Sequence, residues 1–210
     1  MSIRHHLSDP LLIAYAAGNL PEAFGLVVAA HVSMCDTCRA QLAGFEAVGG
    51  AVMEAAPVAM TEGALQAVLA RLGAPEPRPP EARRSDLPAP LQDYIGGGLA
   101  SVKWRNVGLG VRQAILPTAK GASARLLFIP AGQAVPDHGH RGTELTLVLQ
   151  GAFRDATDRF GPGDVEIATE ALEHTPVAEP GAACICLAAT DAPLRFKALM
   201  PRLLQPLFRI

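Results

Sequence analysis

The sequence predicts a multidomain α plus β protein: a small bundle of about four helices, then an antiparallel β-domain. Three observations predict it. Residues 1 to 72 are rich in Ala and Leu and poor in β-branched clusters, as helices prefer. Residues 73 to 90 hold six prolines and six charged side chains, which leave nothing to bury, the composition of an extended linker with partial polyproline character. From Leu91 the texture changes to short apolar segments separated by Gly, Pro and Asp, the rhythm of an antiparallel sandwich or small barrel. The expected units are therefore 1–72, a linker over 73–90, and 91–210, with a core in each outer unit.

In chain order, Ser8-Asp9-Pro10 is a helix start, a capping side chain followed by proline in the first turn. The run from Leu11 to Ala17 continues it and Gly18-Asn19 stops it. Pro21 opens a second helix through Ala30, which delivers His31 at its end. A third helix is expected from about Asp36 to Val48. A fourth is expected from about Thr61 to Leu72, with Thr61 as its cap. In the β-domain, Arg125–Ile129, Leu145–Leu149, Val165–Ala168 and Cys184–Ala188 read as strands. Leu203–Ile210 is apolar and is expected to dock on the barrel.

The composition excludes several classes. Half of the 210 residues are hydrophobic, enough for one or two cores. The net charge of −2 argues against a general nucleic-acid or membrane-surface binder. The first 18 residues carry Arg4, His5, His6 and Asp9, so no secretory apolar core is present. No apolar run is long enough to span a bilayer. A cytoplasmic protein is expected, and there Cys35, Cys38, Cys184 and Cys186 read as ligands or reactive thiols before structural disulfides.

His31-Val-Ser-Met-Cys35-Asp-Thr-Cys38 offers an imidazole, a thiolate four residues on and another three after that. Imidazole and thiolate together suit Zn²⁺ in a closed tetrahedral site. Thiolates at a helix start also gain from its unpaired N–H groups and positive dipole end. A fourth ligand is needed, and only His5 and His6 precede the stretch. Against zinc stand a dithiol redox pair and two ordinary helix cysteines. A thioredoxin-type pair would sit near a βαβ pattern, which is absent. A nucleic-acid finger is disfavoured by charge. Arg4, Arg39 and Arg71 face Asp9, Glu22, Asp36, Glu46, Glu54 and Glu62 in this segment, a balance that phosphates would repel. Short helices clipped by zinc, with an acidic Ala/Leu-rich surface, read as a protein-binding module.

Downstream, Gly132-x5-His138-x-His140-x3-Glu144-x6-Gly151 resembles the first cupin motif at every spacing. His138 and His140, two apart on a strand, point to one face. Glu144 can return a carboxylate to that face from the next strand. Gly161-Pro-Gly-Asp164 reads as a hairpin turn. His174 sits where the second cupin motif supplies its histidine, though its spacing from that turn is longer than in the simplest form and the usual terminal Asn is absent. The β-domain is thus expected as a cupin barrel or jelly roll. Three histidines and a carboxylate inside it suit Zn, Mn, Fe or Ni; the alternative is a cupin that keeps these polar residues without metal. Cys184 and Cys186 share a face of one strand. They read as two small buried hydrophobes or as a redox pair open to oxidation. A disulfide between them would be strained.

Taken together, the N-terminal histidine with His-x3-Cys-x2-Cys, the Pro-rich linker and the cupin motif resemble the ChrR-type zinc-binding anti-sigma factors over essentially the whole length. Arg4-His5-His6, Ala14-Tyr15-Ala16-Ala17-Gly18, Val111-Arg-Gln-Ala-Ile-Leu-Pro117, Pro136-Asp-His-Gly-His-Arg-Gly142 and Glu173-His-Thr-Pro-Val-Ala178 share the resemblance. It implies a zinc site of His6, His31, Cys35 and Cys38, with His6 preferred to His5. It implies a second metal site, zinc or another divalent cation, on His138, His140, Glu144 and His174. It also implies a cytoplasmic, non-enzymatic inhibitor of an extracytoplasmic-function sigma factor, released under singlet-oxygen or organic-hydroperoxide stress. The helical domain would inhibit and the cupin would be needed for the response. The rival expectation is a metal-dependent dioxygenase or isomerase of the cupin class with a helical docking appendage, because fold and metal do not specify chemistry.

Overall fold

The computed structural model describes residues 2–72 and 85–196; the greater part of the expected linker and the apolar Leu203–Ile210 segment lie outside them. Four helices open the chain: α1 (Asp9–Ala16), α2 (Glu22–Met34), α3 (Asp36–Ala55) and α4 (Ala64–Arg71). Pro10 lies in the first turn of α1, where its missing N–H costs nothing. α3 runs past its expected end, through Gly49-Gly50 to Ala55. The helix formers Ala51, Met53, Glu54 and Ala55 offset the loss of about 1 kcal/mol at each glycine. Thr61 does not cap α4. The cap is Gly63, at φ +78°, and Thr61 instead accepts the Ala64 N–H with its backbone carbonyl, at 3.1 Å.

Leu87 is buried and a fifth helix, α5 (Ala89–Ile95), follows at once. Asp86 accepts the Leu99 N–H at 3.0 Å. The last residues of the expected linker are therefore structured, against the sequence reading, because one leucine among the prolines has a core to enter. A short 3-10 turn (Leu99–Ser101) leads into the strands.

The strands are β1 (Arg105–Gly108), β2 (Val111–Leu116), β3 (Ser123–Ile129), β4 (His138–Gly139), β5 (Glu144–Gln150), β6 (Phe153–Arg154), β7 (Arg159–Phe160), β8 (Val165–Ala168), β9 (Glu173–His174), β10 (Val177–Ala178), β11 (Cys184–Thr190) and β12 (Arg195–Phe196). They form a six-stranded sheet, β1-β2-β3-β11-β5-β8, and two three-stranded sheets, β10-β6-β7 and β12-β4-β9. Every pairing is antiparallel. Gly161–Asp164 is not a hairpin. It is a corner that passes the chain from β7, in one sheet, to β8, in another, closed by the Asp164 N–H donating to the Gly161 carbonyl at 2.9 Å.

The central strand β11 explains the packing. Cys184 and Cys186 belong to the barrel interior with Ile129, Val148, Phe153 and Phe160. Leu187 and Ala189, on the alternate face, join a larger cluster with Leu126, Leu145 and Leu147. That cluster continues into the helices, through Val27, Val28, Leu12 and Leu42. Helix α2 lies against β3, β5 and β11 on one side and α1 and α3 on the other. Accordingly it buries Ala23, Phe24, Leu26, Val27, Val28, Ala30 and His31, nearly all round. Each such aliphatic side chain contributes about 1.5–3 kcal/mol on burial. The helices and the sheet thus share one core, where the sequence suggested one in each unit.

Two candidate metal centres

The first centre lies where α2 meets α3. His31 is in the last turn of α2, Cys35 caps α3 and Cys38 lies in its first turn. The Cys38 N–H donates to Cys35 Sγ at 3.5 Å, so the sulfur sits at the positive end of the helix. His6 arrives on the extended N-terminal segment. Its Nδ1 lies 3.3 Å from Cys35 Sγ and 3.6 Å from Cys38 Sγ. One ligand atom from each of the four residues falls within 4.8 Å of all the others. A tetrahedral zinc with about 2.1 Å to nitrogen and about 2.3 Å to sulfur sets such atoms about 3.6 Å apart. His5 is turned away from the group: its Nε2 faces the Arg159 carbonyl at 3.2 Å and Asp158 at 3.5 Å.

The protonation chemistry agrees with a cation here. Burial lowers the His31 imidazole to about 4, so it is neutral. Its Nδ1–H donates to the Gly163 carbonyl at 2.9 Å, which leaves the Nε2 lone pair buried without a partner. Burial pushes the Cys38 thiol up to about 11. A buried thiol becomes a thiolate only if a positive charge replaces its proton. An orphaned nitrogen facing two thiols is a set of donors shaped for a metal.

The second centre is inside the barrel. β4 and β9 pair in a register that sets His138 opposite His174, and His140 follows two residues on. The Nε2 atom of His174 lies 3.2 Å from that of His138 and 3.4 Å from that of His140. Nitrogen ligands about 2.1 Å from one ion sit about 3.0–3.4 Å apart, for octahedral or tetrahedral geometry. The far ring nitrogens are directed outward: His138 Nδ1–H donates to the Pro136 carbonyl at 2.8 Å, and His174 Nδ1–H to Asp155 Oδ2 at 2.7 Å. Such partners fix the tautomer and aim the ring at its metal.

Glu144, expected as the fourth ligand, does not converge with the three histidines. Its Oε2 lies 3.8 Å from His140 Nδ1, and its Oε1 accepts the Thr146 hydroxyl at 3.1 Å. The carboxylates that do meet this cluster are two that the sequence reading missed, Asp155 and Glu166. Glu166 Oε1 is 3.2 Å from His174 Nδ1. Burial lowers the basicity of His174, but Glu166 and Asp155 outweigh it and hold the ring up to about 9. A divalent cation facing the three nitrogens would displace any proton held there. Only the structure picks out Glu166 on β8. In Val165-Glu166-Ile167-Ala168 the charged residue is buried and the isoleucine beside it is 36% exposed. Such an inversion of the hydrophobic pattern marks a site. Asp155 sits in a turn, where its Oδ1 accepts the N–H groups of Thr157 and Asp158; its sequence context reads only as a loop.

Cys184 and Cys186 are fully buried with their sulfurs 3.5 Å apart. The hydrogen bond between them, and then burial, push the Cys186 thiol well above its ordinary value. Enclosed in the core, the pair has the environment of inert core cysteines. Of the two readings the sequence left open, this favours the buried hydrophobes.

Comparison with known proteins places these features in context. Residues 95–193 match the family described as the ChrR cupin-like domain. The chain is 66% identical over 213 residues, and over the full length of both, to the anti-sigma-E factor ChrR of Cereibacter sphaeroides. It is also similar to the anti-sigma chain in the crystal structure of Rhodobacter sphaeroides SigE in complex with ChrR. There the identity is 65%, with a TM-score of 0.81, over 90% of this chain and 100% of that one.

Proposed function

The chain belongs to the ChrR family of anti-sigma factors, and on that premise we propose that it binds an extracytoplasmic-function sigma factor and holds it inactive. One surface supports the reading most directly. Val48, Val52 and Met53 on α3 are exposed, as are Leu65, Val68 and Leu69 on α4. Among the described residues, α3 buries only Cys38 and Leu42, and α4 buries none. Exposed apolar side chains clustered on helices in this way mark a protein-protein interaction site. The acidic side chains Glu46, Glu54 and Glu62 border it in sequence, which selects a protein partner over nucleic acid.

We assign Zn²⁺ to His6, His31, Cys35 and Cys38, a closed set with no position left for substrate. It would pin the start of α3 to the end of α2 and so fix the direction in which the apolar face points. We assign zinc or another divalent metal to His138, His140 and His174, with Glu144 outside the ligand set, 3.8 Å from the His140 Nδ1. The protein acts as a cytoplasmic regulator and not as an enzyme. Its β-domain carries the response to singlet oxygen or related oxidative stress. No helix among the described residues is long and apolar enough to cross a membrane.

The test is a titration of the purified chain against each extracytoplasmic-function sigma factor of its host. One of them should form a stoichiometric complex and lose promoter-dependent transcription in proportion. If none is bound or inhibited, the reading is wrong.

A further inference from the structure

The corner Gly161–Asp164 belongs to the β-domain, yet it touches one of the four N-terminal ligands, His31, and the backbone that leads into another, His6. The Gly163 carbonyl accepts the Nδ1–H of His31 at 2.9 Å. Asp164, itself only 3% exposed, accepts the backbone N–H groups of Arg4 and His5 on Oδ1, at 2.6 and 2.9 Å, and that of Gly161 on Oδ2, at 2.8 Å. Val165 closes the pairing by donating its N–H to the His5 carbonyl at 3.2 Å. His6 is the next residue. Gly163 is at φ +89°, and a Cβ there would stand 2.6 Å from Ile3 Cδ1. The corner is shaped to receive the N-terminal segment.

We propose that this corner is a working part of the N-terminal metal centre. Gly163 and Asp164 are positioning groups: one aims the His31 ring, the other fixes the backbone that delivers His6. The proposal rests on the reading that His6, His31, Cys35 and Cys38 hold a metal. It goes beyond that reading by making the site depend on the β-domain. Two residues beyond Asp164 on the same run, Glu166 reaches His174 in the second centre. One short stretch of backbone, Gly163 to Glu166, thus carries contacts to residues of both centres.

The test uses the full-length chain loaded with Co²⁺. Sulfur-to-cobalt charge-transfer absorption arises only at a thiolate site, and Cys184 and Cys186 are enclosed in the core, so the band reports Cys35 and Cys38. Its decay in excess chelator gives the release rate. Asp164→Ala should speed release at least tenfold. Asp164→Asn, which keeps one accepting oxygen, should fall between that variant and the wild type. Glu22→Ala is a control elsewhere on the seam between helices and barrel, where Glu22 accepts from Tyr94 and from the Ala119 N–H; it should change the rate less than twofold. An Asp164→Ala protein that matches the wild type by circular dichroism and releases cobalt at the wild-type rate overturns the proposal. If neither Asp164 variant folds, ring-nitrogen NMR of the wild-type zinc protein decides. His31 should be metal-bound through Nε2 with a slowly exchanging Nδ1–H. Metal on Nδ1, or a rapidly exchanging Nδ1–H, overturns it. Absence of the thiolate band in the wild type is a separate result, which removes the metal reading of the site and this proposal with it.

Discussion

In the N-terminal centre, three of the four candidate ligands fall within the eight residues His31–Cys38, at one helix junction. In the barrel centre, His138 and His174 come from strands 36 residues apart and meet only through the β4–β9 register. The first set is local and its supports are remote. The His31 ring and the backbone just before His6 are held by a corner of the other half of the molecule. The second set is non-local and its supports come from its own barrel, Pro136, Asp155 and Glu166. A site made of neighbours in sequence can form early but needs an outside brace to be rigid. A site made by strand register is rigid once the sheet exists, because the pairing that brings its ligands together also fixes their direction.

The comparison is broken most severely by removing the local ligands. Cys35→Ser or Cys38→Ser should lose metal from the N-terminal centre and weaken sigma binding at least about 100-fold, or about 2.8 kcal/mol. The check is a titration by fluorescence anisotropy with metal content measured alongside. A metal-free variant that still inhibits at full strength would remove any structural role for the ion.

Next in size is the shared core. Leu147→Ala should destabilise by about 2–5 kcal/mol, and calorimetry should show helices and barrel melting together, since Leu147 and the α2 residues belong to one cluster. Two transitions, with the helical one unmoved, would restore the picture of separate cores.

The braces come third. Asp155→Asn should lower metal affinity of the barrel centre by about 10–100-fold, the usual effect of removing a carboxylate that orients a metal-bound histidine. It should leave the N-terminal ion in place, as metal analysis after dialysis would show. His140→Ala should empty the barrel centre, keep sigma affinity within about twofold and abolish induction by singlet oxygen, read from a sigma-dependent promoter with and without photosensitiser in light. Normal induction in that variant would make the barrel a scaffold.

The smallest effect belongs to Cys186→Ser. The site is enclosed and its thiol stays protonated. Induction should therefore persist, with a stability loss of about 1–3 kcal/mol from burying a hydroxyl in place of a soft thiol. Full loss of induction in a folded Cys186→Ser protein would return the pair to a redox role.

Much of this protein was legible before its fold. The helix starts at Asp9 and Glu22 follow from Pro10, in the first turn of α1, and Pro21, the cap of α2, since a proline ring suits a helix start whatever surrounds it. The grouping of His31, Cys35 and Cys38 follows from spacing, because four and then three residues bring side chains to one end of adjoining helices. The pair His138 and His140 follows from the two-residue period of a strand. These are properties of a short chain segment, and a segment carries them into any environment.

What the tertiary structure decided is how distant segments answer one another. It set Gly161–Asp164 as a corner and not a hairpin, since a Pro-Gly turn specifies a reversal but not which sheet the next strand joins. It drew Leu87 out of the expected linker into a core, and it laid α2 on the barrel so that two expected cores became one. β11 is buried at nearly every position, a sign that both its faces are covered, but only packing shows that a helix is the cover. It also chose the carboxylates: Glu144 kept its motif position yet lies beside His140, while Asp155 and Glu166, with no motif to announce them, hold His174. A side chain's distance to its neighbours along the chain is set by covalent geometry, whereas its distance to a residue on another strand or helix depends on register and packing, which the whole core determines at once.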